Sequence, residues 1–397
     1  MMARSNSFAF SRIDRLPPYL FEEVNRLKAK YRAGGADIID FGMGNPDLPT
    51  PAPVVEKLCE TAHDARTHRY SASRGIAGLR RAQARYYARR FGVKLNAESE
   101  VVVTLGSKEG FANIAQAISA PGDMVLVPNP TYPLHAFGFI ISGASLSHVP
   151  LGAPQDFFQT LDRTWSASVP RPKVLVLNYP ANPTAQVVDL AFYKEVVAYA
   201  KKRDLLLLSD LAYAEIYFDG DPPPSILQVP GAKARAVEFT SMSKSFAMPG
   251  WRVGFAVGNP RMLAALARIK SYVDYGAFTP IQVAAIAALD MGESLIAPIR
   301  AAYRARRDVL VESFARAGWE IPAPSASMFA WAPLPPGRRG SMRFSRDLLR
   351  EAQIAVAPGI GFGKHGEDHV RIALVENEQR IRQAARNLKK LLGSKRP

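Results

Sequence analysis

From about residue 75 to residue 260, short aliphatic and β-branched runs alternate with helical patterns. This alternation narrows the possible folds more than any other feature of the chain. The runs are Val101–Val103, Met124–Val127, Val174–Leu177, Leu205–Leu208, Val237–Phe239 and Val253–Val257. Helix-like stretches such as Glu109–Ser119 and Leu190–Arg203 separate most of them. Strands that are apolar throughout, alternating with helices, imply an α/β fold with a mainly parallel sheet covered on both faces. Leu205–Leu208 is too short to decide between helix and strand, and its neighbours favour a strand. After about residue 280 the pattern becomes helical, over Ile281–Leu289 and Ile299–Ala317. It ends in a mixed segment, with strands near Met328–Trp331 and His369–Leu374 and a last helix over Glu378–Leu392. A short helix is expected from Pro18 to Gly34, where Gly34–Gly35 suits a left-handed C-cap.

The totals exclude several classes. The 397 residues suffice for two domains or one large one. The formal charge of +16 raises the question of nucleic acid or membrane. The basic residues are dispersed, however, and the densest groups, Arg80–Arg90 and Arg304–Arg307, are read as solvated helix faces. Neither nucleic acid nor membrane is expected as a partner. The single cysteine, Cys59, rules out an internal disulfide. The stretch Met1–Phe10 lacks an apolar core, so no signal peptide is expected and the cytoplasm is the default location.

In open parallel sheets, ligands bind beyond the carboxyl ends of the strands. The segments at those ends form a coherent set. They are Gly106-Ser107-Lys108, Asn129-Pro130-Thr131-Tyr132, Asn178 to Pro183, Asp210 with Tyr213, and Ser241-Met242-Ser243-Lys244 with Arg252 beyond. Singly, each has an ordinary reading: a solvated lysine, a helix-capping aspartate, a turn-forming asparagine, a packing tyrosine, a surface arginine. Together, Ser107 and the amides opening a helix offer an anion site, which Ser241, Ser243 and Arg252 can close. Tyr132 offers a ring for stacking. Asp210 can keep a heteroaromatic nitrogen protonated, Tyr213 and Asn182 can bond a phenolate oxygen, and Lys244 can form an imine. These are the needs of pyridoxal 5'-phosphate.

With these residues the chain resembles the fold-type I, class I/II aminotransferases over nearly its whole length. Ser241-Met242-Ser243-Lys244 with Arg252 resembles the family's lysine signature. Asn182-Pro183-Thr184 and Asp210-Leu211-Ala212-Tyr213 resemble its cofactor motifs. The resemblance implies that Lys244 forms the Schiff base, Asp210 pairs with the pyridine nitrogen, and Tyr213 and Asn182 bind the ring oxygen. It further implies that Ser107, Lys108 through its backbone, Ser241, Ser243 and Arg252 hold the phosphate while Tyr132 stacks on the ring. Tyr70, in Tyr70-Ser71-Ala72-Ser73-Arg74-Gly75, resembles the tyrosine that reaches the partner subunit's phosphate, which implies a homodimer. Arg371 and Gly44 resemble the groups that hold the substrate α-carboxylate, beside Asn182. The implied fold has an arm (1–15), a large domain with a seven-stranded type of sheet (47–285) and a small α+β domain (16–46 with 286–397).

Within the family, Arg12–Tyr19 and Ser271–Pro280 resemble the bacterial glutamate–pyruvate (alanine) transaminases, and LL-diaminopimelate aminotransferases share much of the pattern. The implied reaction moves the amino group of an L-amino acid, foremost alanine, to 2-oxoglutarate in a ping-pong sequence. Lys244 would act as general base and then acid. A C–S lyase on the same fold is the other chemistry this site supports.

Two remaining alternatives are weaker. Ser241-x-x-Lys244 matches an acyl-transfer nucleophile motif, but the accompanying Lys-Thr-Gly is absent. A cofactor-binding transcription regulator needs a winged-helix domain, and only about 40 residues precede Gly42. The six histidines show no metal-ligand spacing. Gly359–Lys364 fits no nucleotide fingerprint and reads as a mobile turn near the substrate side.

Overall fold

The main sheet holds seven strands: β1 (Val101–Thr104), β2 (Met124–Asn129), β3 (Ser145–Pro150), β4 (Pro172–Asn178), β5 (Leu206–Asp210), β6 (Ala236–Ser241) and β7 (Gly254–Gly258). The structure is a computed structural model that describes residues 10, 12–17, 20–152 and 156–393. Most of the arm expected over residues 1–15, together with Pro18 and Tyr19, therefore lies outside the described residues. Strand order is β1-β7-β6-β5-β4-β2-β3. β7 runs antiparallel to both its neighbours, and the other pairings are parallel.

The apolar runs form central strands because both their faces are buried. In β4, Leu175 and Leu177 join one core cluster while Val174 and Val176 join the other. Leu207 and Leu208 divide the same way in β5. Helices cover both faces, as the continuous apolar pattern requires. The sequence reading missed β3. It is one of the two edge strands, its residues are mostly half-exposed, and Ser-Leu-Ser-His carries no apolar run. The other edge strand, β1, is buried throughout and keeps its apolar run.

A second core gathers around a three-stranded antiparallel sheet of β8 (Phe329–Pro333), β9 (Ala357–Pro358) and β10 (His369–Ala373), in the order β9-β10-β8. The helices Glu293–Arg316, Ser341–Ala352 and Glu378–Gly393 pack against it. The N-terminal helix spans Leu20–Ala33, and Gly35 follows with φ +83°. Among the described residues, no single helix is long and apolar enough to cross a membrane.

Two readings need correction. Several of the clustered arginines are buried rather than solvated. Arg80 bonds Gly75 O and Glu98, Arg306 pairs with Asp47 at 2.7 Å, and Arg307 pairs with Asp219. These cations are spent on ion pairs that tie helices to loops. The glycine-rich segment is also more constrained than a mobile turn. It forms the short 3-10 turns Gly359–Phe362 and Lys364–Gly366. A Cβ on Gly359 would lie 2.0 Å from Gly366 O, so the glycines serve close backbone approach. Thr131 N donates to Phe362 O at 2.9 Å and His365 N donates to Asn129 Oδ1 at 3.1 Å, which pins the segment to the end of β2.

The main sheet also buries a titratable group. Glu238, fully buried in β6, accepts from Tyr87 Oη (3.0 Å), Ser209 Oγ (3.2 Å), Ile226 N (3.1 Å) and Ser225 Oγ. Burial pushes its carboxyl up to about 7 despite these donors. The folded protein therefore keeps this proton to higher pH than the unfolded chain, where Glu titrates near 4.5. The contribution is full below the unfolded value and is lost as pH rises through about 7. Chemical denaturation from pH 5 to 8 should show Glu238 weakening the fold by about 3 kcal/mol at most over that window. Glu238→Gln should flatten the slope, and parallel slopes would count against the assignment.

Candidate active site

The strand-end segments converge on a cavity of about 330 Å³ at the carboxyl edge of the parallel strands. Its wall includes Gly44, Ser107, Lys108, Tyr132, Asn182, Asp210, Tyr213, Ser241, Ser243, Lys244, Arg252 and Arg371. Every expected site residue except Tyr70 therefore meets there. Tyr70 is 86% exposed outside the cavity, and its ring centroid lies 4.7 Å from that of Tyr275.

One end of the cavity is an anion cup. Gly106, at φ +78°, turns β1 into the helix Ser107–Ile118, whose first amides have no partner within the helix. A Cβ on Gly106 would lie 2.3 Å from Arg252 Nη2, so the guanidinium closes over a backbone that only glycine can supply. Arg252 itself is held at φ +56°, a left-handed conformation unusual for a non-glycine residue. It donates to Pro249 O at 2.9 Å and to Leu105 O at 3.2 Å. Ser241 caps the turn Met242–Ser245 by accepting from Ser243 N at 3.3 Å. Amides at a helix start, hydroxyls and a guanidinium together match a phosphate dianion.

Asp210 ends β5 and lines the cavity. Its Oδ2 lies 2.9 Å from His135 Nε2, and His135 Nδ1 lies 2.9 Å from Thr131 Oγ1. Oδ1 accepts from Ala212 N at 3.1 Å. The carboxylate is thus fixed where it lines the cavity. His135 is wholly buried and lies edge-on to Tyr132, with ring centroids 5.7 Å apart. Sequence reading overlooked His135 because it lies in the helix Pro133–Ser142, past the strand-end loop. The spacing Thr131-x-x-x-His135, following a strand end, is the signal that was there to use.

Asn182 is anchored by Asn178, whose Oδ1 accepts from Asn182 N at 2.8 Å. Its Nδ2 donates to Tyr213 Oη at 3.4 Å, and its Oδ1 accepts from Arg371 Nη1 at 2.9 Å. Arg371, on β10, also donates to Gly42 O at 3.1 Å. Its guanidinium lies 4.1 Å from the Phe329 ring centre and 4.8 Å from that of Phe362. These aromatic walls, also unforeseen from sequence, orient a fork suited to a carboxylate. Burial pushes the Tyr213 phenol well above its usual range, against the pull of Arg371, so it stays protonated.

Lys244 follows β6 and faces this space. Burial, then the charges of Arg371 and Arg252, lower its ammonium to about 8, while Asp210 opposes the shift. An amine so tuned has a usable neutral fraction near neutral pH and is a nucleophile. Among the described residues no group of His, Cys, Asp or Glu is arranged to hold a metal. A phosphate cup, a carboxylate and a tuned amine within one cavity fit pyridoxal 5'-phosphate by donor chemistry.

The comparisons with known proteins agree. The chain is 65% identical over 387 residues to the putative aminotransferase AatC of Rhizobium meliloti, covering 97% of this chain and 96% of that one. It is 54% identical over 382 residues to the glutamate–pyruvate aminotransferase AlaC of Escherichia coli, covering 96% and 93%. It is 43% identical over 382 residues to the LL-diaminopimelate aminotransferase of Moorella thermoacetica, covering 96% and 98%. The family model described as aminotransferase class I and II matches residues 36–388. The chain belongs to the class I and II aminotransferases and is an enzyme that depends on pyridoxal 5'-phosphate.

Proposed function

We propose that this enzyme transfers the amino group of L-alanine to 2-oxoglutarate, giving pyruvate and glutamate, as a cytoplasmic homodimer. The identity to the glutamate–pyruvate enzyme of Escherichia coli carries the choice of substrates. The convergence of Lys244, Asp210 and Arg371 on one cavity carries the mechanism.

When bound, pyridoxal 5'-phosphate supplies an aldehyde carbon for the amine and a ring that accepts electrons. Lys244, whose amine is tuned toward the neutral form, would hold that aldehyde and would serve as the base for the proton on the substrate Cα. The same Nζ would carry that proton as base and then acid. Asp210 keeps a proton on the ring nitrogen, and His135 holds its carboxylate in register. Tyr213, Asn182 and Tyr132 would hold the ring, the first two as hydrogen-bonding partners and Tyr132 as a packing surface. Ser107, the Lys108 amide, Ser241, Ser243 and Arg252 hold the phosphate. Arg371, with Gly44 and Asn182, holds the substrate α-carboxylate. Tyr70 reaches the phosphate of the partner subunit, a role its 86% exposure supports. The large domain spans 47–285, and the small domain 16–46 with 286–397.

Arg371→Lys should raise KM for both amino acid and keto acid about a hundredfold, with a smaller effect on kcat, because lysine cannot reproduce the two-pronged contact. Steady-state kinetics with each substrate varied checks this. A large loss in kcat at unchanged KM would count against the role.

The identity to an LL-diaminopimelate aminotransferase favours a second reading of the substrate. A panel of amino acids with 2-oxoglutarate separates the two. Turnover of alanine supports the first reading. Turnover of LL-diaminopimelate without alanine replaces it.

A further inference from the structure

Lys270, in the last turn of the helix Pro260–Val273, has a fully buried ammonium held by two carboxylates. Glu109 Oε1 lies 3.1 Å from Nζ and Asp274 Oδ2 lies 2.9 Å away. The two carboxylates serve different structures. Glu109 Oε2 accepts from Leu105 N at 2.8 Å, the residue before Gly106 whose carbonyl also receives Arg252 Nη2 at 3.2 Å. Glu109 therefore braces the backbone of the anion cup. Asp274 Oδ1 accepts from Gly276 N at 2.7 Å, and Asp274 O accepts from Ser73 Oγ at 2.8 Å. Gln282 adds a bond to Ser71 Oγ at 2.8 Å, and Tyr275 lies against Tyr70. Asp274 therefore braces the platform that presents Tyr70.

We propose that Lys270 is a positioning residue that locks the phosphate cup of its own subunit to the Tyr70 platform offered to the partner subunit, so that one buried charge sets the phosphate grip of both active sites. This rests on the reading of Tyr70 as a ligand across the dimer. A buried ammonium shared by two carboxylates is suited to the task. Removing it leaves both carboxylates without their counter-charge, and each of the two braced loops must move to rehydrate one.

The test uses mixed dimers of the full chain in which one subunit carries Lys244→Ala, so the visible band of lysine-bound cofactor reports only the other subunit's site. Pyridoxal 5'-phosphate is titrated, and the dissociation constant of the reporting site is read from that band. Lys270→Met should weaken binding about fivefold whether it sits in the reporting or in the silent subunit. Glu109→Gln should weaken it only in the reporting subunit, and Asp274→Asn only in the silent one. If the Lys270→Met chain does not assemble, this Glu109 and Asp274 pair decides the matter. An effect of Lys270→Met in the reporting subunit alone, or of Asp274→Asn in both positions or neither, overturns the proposal. Tyr70→Phe in the silent subunit is the control. If it leaves the reporting site unchanged, the cross-dimer reading of Tyr70 has failed, separately from the role of Lys270.

Discussion

Replacing Lys244 with alanine is expected to lower kcat/KM for alanine plus 2-oxoglutarate about ten-thousand-fold or more. One substitution removes both the nucleophile and the base, and among the described residues no other lysine lines the cavity except Lys108, on the cup side. The fold should hold. Lys244 is half-buried, and the turn Met242–Ser245 is capped by Ser241 rather than by the lysine. Circular dichroism and thermal unfolding of the variant check that activity is lost without unfolding. Residual transamination within about tenfold of the parent would remove Lys244 from the mechanism.

Asp210→Ala carries the second large effect, a loss of about a hundred- to a thousandfold in kcat. The negative charge that develops when the substrate proton leaves needs a protonated ring nitrogen, and Asp210 is the carboxylate held in the wall of the cavity. His135→Phe should cost less, about tenfold, because it removes the group that orients the carboxylate and leaves the carboxylate in place. The order matters more than the figures. If His135→Phe were as damaging as Asp210→Ala, the histidine would be more than a positioning group. Single-turnover rates of the two variants, compared at saturating cofactor, distinguish these outcomes.

Much of this site was legible because parallel α/β sheets deliver their ligands to one edge. Ser107, Asn182, Asp210 and Lys244 each stand at or just past an apolar run, so finding the runs found the residues. Arg371 and Gly44 lie far from that pattern. Arg371 sits within β10 of the second sheet and comes to the cavity only through packing. Nothing local in either residue's neighbourhood marks it, and resemblance to the family supplied both. His135 was missed because it lies inside the helix after the strand-end loop, and its partner Asp210 is 75 residues away, so only the Thr131-x-x-x-His135 spacing pointed to it. Phe329 and Phe362 escaped because an apolar wall of a site looks like core until the cation it faces is known.

The fold divides along similar lines. Central strands were visible because two buried faces demand an unbroken apolar run. β3 was not, since most of its residues are half-exposed, whereas the other edge strand, β1, is buried throughout and was visible. The antiparallel direction of β7 leaves no trace in composition, because Gly254–Gly258 would read the same in either sense. The excess of arginine misled for an electrostatic reason. Long cationic side chains on a helix can bury their stems and pair with distant acids, as Arg306 does with Asp47 across 259 residues, and a local pattern does not contain the partner.

The most direct test of the central claim is to treat the cofactor-loaded enzyme with borohydride, digest it, and locate the phosphopyridoxyl group by mass spectrometry. A single modified peptide, carrying the group on Lys244 and appearing as the visible absorption band is lost, is the predicted result. The group on any other lysine, or loss of the band with no lysine modified, would contradict the account.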